Sequence, residues 1–169
     1  MSTLITMLPT RKSTRLTKFD YSHFGVYFIT ICIADRRCLL SKIQKTEQKC
    51  EIMLTPIGEI VCEWLGHLSE YAADCVVDQY TVMPNHIHLL LRIRYNEAAE
   101  SKSLSAIIGW LKYQITKSVR KKNDLTHFPL FQRSFYDHIV RNQEDYERIA
   151  KYMYENPVMW QEDRFYLHE

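Results

Sequence analysis

Two histidines one residue apart, His86 and His88, open a stretch that runs Ile87-His-Leu-Leu-Leu-Arg-Ile-Arg94 and alternates with the period of a β-strand. Successive side chains on a strand point to opposite faces. Ile87, Leu89, Leu91 and Ile93 therefore share one face and call for a core. His86, His88, Arg92 and Arg94 share the other, interrupted only by Leu90. A chain carrying this segment must build a sheet with one apolar face and one face bearing two imidazoles and two cations.

At 169 residues the chain has the length of one domain, expected over 1–169. Its composition, 46% hydrophobic and 25% charged, suits a globular protein with a real core. No apolar run approaches the roughly 18 residues needed to cross a membrane, and the first residues lack a signal-peptide pattern. A cytoplasmic protein with no membrane partner is expected. The five cysteines, Cys32, Cys38, Cys50, Cys62 and Cys75, form no CxxC pair and read as reduced and mostly buried.

Net charge is only +2, but its distribution is uneven. Between Ser101 and Asn123 stand Lys102, Lys112, Lys117, Arg120, Lys121 and Lys122 without an acidic residue. A basic arm over residues 1–20 adds Arg11, Lys12, Arg15 and Lys18. Such patches can neutralise phosphates, or can be ordinary solvated faces.

Val26–Ala34 reads as a central strand and Glu51–Leu54 as a short one. Thr55-Pro56 starts a helix, with Ile57, Ile60, Val61, Trp64, Leu65, Leu68 and Tyr71 along one stripe. Cys75–Val82 and Ile87–Arg94 form a hairpin around Met83-Pro-Asn85, and a polar loop follows at 96–102. Ser103–Lys122 is a second helix, residues 128–142 are extended or irregular, and Asn142 caps a last helix ended by Pro157. The order β, short β, α, β, β, α, α implies an α+β sandwich of ferredoxin-like type: a central antiparallel sheet with helices on one face. The histidines are expected on the face left open.

A His-x-His pair on one strand face can bind one metal ion, or can be two surface histidines on a hairpin. The last helix carries Tyr146, Tyr152, Tyr154 and Asn156, and Tyr152 and Asn156 share a face at i, i+4. Tyrosine can act as a nucleophile and an amide oxygen can complete a metal's coordination, although tyrosines at helical spacing are commonly core residues.

These segments together resemble the single-tyrosine HUH transposases, particularly the REP-associated tyrosine transposases. Met83-Pro-Asn-His-Ile-His-Leu-Leu90 is similar to the HUH motif. Gln132–Asn142, Asp145-Tyr146 and Tyr152-Met-Tyr-Glu-Asn-Pro157 are similar to the block around the catalytic tyrosine helix, and Pro9–Ser13 with Phe19–Ser22 to the N-terminal part. The resemblance implies a bacterial enzyme, nucleoid-associated when bound to DNA, that cleaves and rejoins single-stranded DNA at REP-like or insertion-sequence-end hairpins. It implies His86 and His88 as ligands of Mg²⁺ or Mn²⁺, with Asn156 third. Tyr152 would be the nucleophile, forming a 5′-phosphotyrosine, with Tyr146 a rival earlier on the same helix. Arg11, Lys12, Arg15, Arg92, Arg94, Lys112, Lys117, Arg120, Lys121 and Arg133 are the candidate DNA contacts, with an aromatic from Phe128, Phe131, Phe135 or Tyr136 available for base stacking. Relatives act as monomers or homodimers. A hairpin-binding relative that no longer cuts is the competing reading.

Overall fold

Gly25–Cys32 forms β1, and its β-branched and aromatic residues place it inside a four-stranded antiparallel sheet. The computed structural model describes residues 24–46, 50–95, 101–122 and 129–166. The basic arm with Arg11, Lys12 and Arg15, the segment 96–100 and Phe128 lie outside the described residues. Chain order continues with β2 (Ser41–Lys45), β3 (Cys50–Leu54), α1 (Pro56–Gly66), α2 (Leu68–Tyr71), β4 (Cys75–Val82), β5 (His86–Ile93), α3 (Leu104–Lys122), β6 (Tyr136–Val140) and α4 (Gln143–Glu155).

The sheet order is β4-β5-β1-β6, and its strands with α1 and α3 trace β-α-β-β-α-β. This is the ferredoxin-like α+β arrangement that the sequence implied. Tyr27, Ile29 and Ile31 of β1 join Ile87, Leu89, Leu91 and Ile93 of β5 on one face, and α1, α2 and α3 cover them with Ile60, Val61, Leu65, Leu68, Ile107, Ile108, Leu111 and Ile115.

Local signals explain the boundaries. The Thr55 hydroxyl accepts from the Gly58 amide at 3.2 Å and caps α1, and the Asn142 side chain accepts from the Asp145 amide at 2.8 Å and caps α4. The stripe expected to run on to Tyr71 breaks at His67, so α1 and α2 are separate helices. Strand β2 had no reading in the sequence; among the described residues it pairs with β3 alone, in a two-stranded hairpin beside the main sheet. Cysteine burial is lower than expected: Cys32 and Cys75 are buried, Cys50 and Cys62 partly so, and Cys38 is exposed.

Helix α1 approaches the chain before β2 so closely that a Cβ at Gly58 would stand 2.1 Å from the Leu40 carbonyl oxygen. Only glycine fits there. Gly58→Ala should destabilise the protein by about 2 kcal/mol, the scale of forced overpacking, although alanine is the better helix former. Urea unfolding compared with wild type measures it.

The second face of the sheet is not left open at the histidines. Helix α4 lies across it, and Ile149 and Met153 bury Leu90 between the helix and β5. Side chains of β4 hold the helix down: Thr81 Oγ1 donates to the Met153 carbonyl at 3.2 Å and Gln79 Nε2 to the Ala150 carbonyl at 3.4 Å. His86 and His88 are both 0% exposed. The strand period put them on the correct face, but the apolar side of α4 needed that face too.

Candidate active site

His86 and His88 sit at the start of β5, paired across the sheet with Cys32 and Thr30 of β1. Their Nε2 atoms are 3.0 Å apart. Each ring is held from behind at Nδ1. The Asn85 side chain, itself buried, donates through Nδ2 to the carbonyls of Arg36 at 3.1 Å and Phe165 at 2.9 Å. That leaves its Oδ1 to accept from His86 Nδ1 at 2.9 Å, which assigns the proton to Nδ1 and leaves Nε2 bare. His88 Nδ1 is 3.0 Å from the Thr30 hydroxyl.

Burial also keeps the rings neutral. It pushes His86 down to about 3, helped by the nearby Arg164 charge, and holds His88 well below the usual histidine range, with His86 adding to the effect. Between about pH 6.5 and 3 the unfolded chain therefore binds more protons than the folded one, and stability falls as pH falls through that window. Taking the metal-free protein from pH 7 to 5 should cost about 2 kcal/mol through His86, with His88 acting in the same direction. Urea midpoints at the two pH values with chelator present check this.

Helix α4 brings its C-terminal end to the histidines. Tyr152 Oη lies 3.4 Å from His88 Nε2, and Asn156, the last cap of the helix, places Nδ2 at the same distance from that atom. Asp163, from the short turn after α4, closes the group. Its Oδ2 accepts from Asn156 Nδ2 at 2.8 Å and from Tyr152 Oη at 3.3 Å, and its Oδ1 accepts from the Phe165 amide at 2.7 Å. Ligand atoms of His86, His88 and Asp163 all lie within 4.8 Å of one another. Phe165 packs on the His86 ring at 4.6 Å, and Phe28 lies 5.1 Å from His88 and edge-on to Tyr152 at 6.1 Å.

This donor set fits a hard or borderline divalent cation. It offers two neutral imidazoles with outward nitrogens, a carboxylate, and Asn156 Oδ1, which is buried without a hydrogen-bond partner among the described residues. Two ligands of one octahedral ion at about 2.1 Å stand about 3.0 Å apart, the spacing of the two Nε2 atoms. Tyr152 is 39% exposed and opens on a cleft of about 500 Å³ lined also by Phe28, Thr30, Tyr136, Arg148 and Arg164. Burial, then the Asp163 charge, pushes its phenol up to about 12.

The other sequence candidates lie elsewhere. Tyr146 is turned to Asp78, its hydroxyl donating to that carboxylate at 3.4 Å, with the Arg92 guanidinium 6.0 Å from its ring. Arg92 itself is paired with Asp78, about 13 Å along β5 from His88 by the strand rise, and Arg94 is exposed beyond the strand end. Lys112 is part-buried and donates to the carbonyls of Gln132 and Arg133, tying α3 to the following segment. Lys117, Arg120 and Lys121 are exposed along α3, and Arg133 is exposed beside Asp35 and Arg36. Phe131 and Phe135 are core residues, whereas Tyr136 borders the cleft. Among the candidates, then, His86, His88, Tyr152 and Asn156 converge.

The profile of the family described as "Transposase IS200 like" matches residues 27–156, which carry this constellation except Asp163, Arg164 and Phe165. The chain belongs to the IS200-like transposase family. Membership agrees with the HUH-type strand and with the tyrosine helix laid against it. A Haemophilus influenzae protein of unassigned function is 28% identical over 93% of both chains. A second protein of that organism, provisionally named a REP-associated tyrosine transposase, is 26% identical over 82% of this chain and 73% of its own length. Among solved structures, a REP-associated tyrosine transposase bound to a REP hairpin superposes with a TM-score of 0.61 at 21% identity, over 91% of this chain and 74% of that one, and so shares the fold. No helix among the described residues is long and apolar enough to cross a membrane.

Sequence reasoning missed Asp163, Asn85 and Thr30. Asn85 was visible only as a turn residue between two strands. Asp163 follows Pro157 in a stretch without periodicity, past the end of the family match, and nothing local marks it.

Proposed function

We propose that this transposase cleaves and rejoins single-stranded DNA at hairpin-forming sequences, with Tyr152 as nucleophile. The observation that carries the reading is the single cluster of Tyr152 Oη, His88 Nε2 and the Asp163 carboxylate beside an accessible cleft. His86, His88 and Asp163 would hold Mg²⁺ or Mn²⁺, with Asn156 Oδ1 as a further oxygen donor. Such an ion would draw charge from a nonbridging oxygen of the scissile phosphate and oppose the upward shift of the phenol.

Tyr152 attacks phosphorus. Its Oη–P bond forms as the P–O3′ bond breaks, giving a 5′-phosphotyrosine and a free 3′-hydroxyl; the phenol loses a proton and the departing oxygen gains one. One P–O ester replaces another, so a second 3′-hydroxyl can reverse the step without an external energy source. The tyrosine reaches histidines of its own chain, which supports a site complete within one subunit and hence a monomer competent for cleavage. The exposed cations of α3 and the basic arm are suited to the DNA backbone, orienting rather than specifying it. The hairpin bound by the REP-associated structural relative supports a folded single strand as substrate, and such a substrate would place the protein in the bacterial cytoplasm, on the nucleoid.

The test is incubation with end-labelled single-stranded hairpin DNA and Mn²⁺, followed by a denaturing gel. A covalent adduct that chelator abolishes is expected. Tight binding with no adduct for any hairpin would instead favour a binding module.

A further inference from the structure

The turn after α4 brings a cation to the nucleophile. Arg164 borders the Tyr152 cleft, and its guanidinium lies 4.6 Å from the centre of the Phe165 ring and 5.6 Å from that of Tyr136. The backbone on either side is pinned by the site itself. Asp163 is held by Tyr152, Asn156 and the Phe165 amide, and the Phe165 carbonyl accepts from Asn85 while its ring packs on His86. The Arg164 carbonyl accepts from Arg36 Nη1 at 3.4 Å.

The cleft's other basic side chains are engaged. Arg148 and His138 both pair with Asp145. Arg164 has no carboxylate partner among the described residues, although it neighbours Asp163. A guanidinium held against aromatic faces on a fixed root, with its donors uncommitted among the described residues, is preorganised to fork onto two oxygens of an anion such as a phosphodiester. Arg164 is therefore a positive charge that the chain itself contributes at this end of the cleft.

We propose that Arg164 grips a backbone phosphate of the DNA strand lying in the Tyr152 cleft, and so positions the scissile linkage against the hydroxyl. The ligand's identity as DNA rests on the function proposed above; the contact itself is read from the site. Residue 164 lies beyond the part of the chain matched to the family, so family membership does not assign it.

The experiment measures binding of a fluorescent single-stranded hairpin with a short flank, at several salt concentrations, to wild type, Arg164→Gln and Arg164→Lys. Adduct formation by wild type is scored in parallel. A lost phosphate contact should weaken binding about tenfold at low salt and flatten the slope of log Kd against log salt by about 0.7. Arg164→Lys should keep the slope, because the charge remains. In cleavage, the single-turnover rate at saturating protein should fall about 100-fold in Arg164→Gln and less in Arg164→Lys. An unchanged salt slope in Arg164→Gln overturns the proposal, as does an equal loss of binding in both variants accompanied by a lowered Tm. A changed slope with no adduct in wild type sustains the phosphate contact while sinking the cleavage reading, so the two failures are told apart.

Discussion

Tyr152→Phe should abolish the covalent protein–DNA adduct, a drop of at least about 10⁴-fold set by the loss of the only attacking atom. Binding of the same hairpin should stay within about threefold, because the ring remains and still lies beside Phe28 and His88. Tyr146→Phe should leave the cleavage rate within a similar factor. Its hydroxyl is committed to Asp78, next to the Asp78–Arg92 pair, and Tyr146 sits about 9 Å along α4 from Tyr152 by the helix rise, which no side-chain rotation spans. The pair of variants is decisive because both tyrosines lie on α4, six residues apart, and differ in what faces them. Single-turnover assays on both proteins give the answer.

The second large effect concerns the histidines and what stands behind them. His86→Gln should weaken Mn²⁺ binding and lower the adduct rate by on the order of 10³-fold, the scale of losing a group that stabilises transition-state charge. Asn85→Leu should reproduce part of that loss, about 10- to 100-fold in Mn²⁺ affinity, without touching a ligand. The reason is specific. The amide commits both its N–H donors to the carbonyls of Arg36 and Phe165, so only its oxygen remains to hold the His86 proton on Nδ1. Leucine fills the space, yet lets the imidazole take the other tautomer and strands two buried carbonyls. Calorimetric titration with Mn²⁺ reads the affinity, and far-UV circular dichroism separates a tautomer effect from unfolding.

Much of this is legible in the amino-acid sequence. The caps at Thr55 and Asn142, the hairpin from Cys75 to Ile93 and the alternation along β5 are local signals with local causes, and the structure bears them out. The convergence of Tyr152 and Asn156 on His88 followed from helix spacing once the resemblance had paired helix with strand. What was not legible depends on contacts between distant segments. Nothing in Gln143–Glu155 says that its Ile149 and Met153 must find Leu90, so the burial of the histidines under α4 was unreadable. Asp163 and Arg164 belong to an aperiodic turn whose value comes from where Pro157 and the end of α4 aim it. Arg92 looked like a phosphate contact because sequence shows a strand's own face but not Asp78 on the neighbouring strand.

The central claim is that Tyr152 becomes joined to DNA through phosphorus. Mapping the adduct tests it most directly: trap wild type on a hairpin, digest with nuclease and trypsin, and sequence the modified peptide by mass spectrometry. Cleavage after Lys151 and Arg164 separates residues 152–164 from 142–148, which hold Tyr146. A nucleotide attached through a 5′-phosphate to Tyr152 is the predicted result. The same label on Tyr146 or Tyr154, or a 3′-linked nucleotide on any residue, would contradict it.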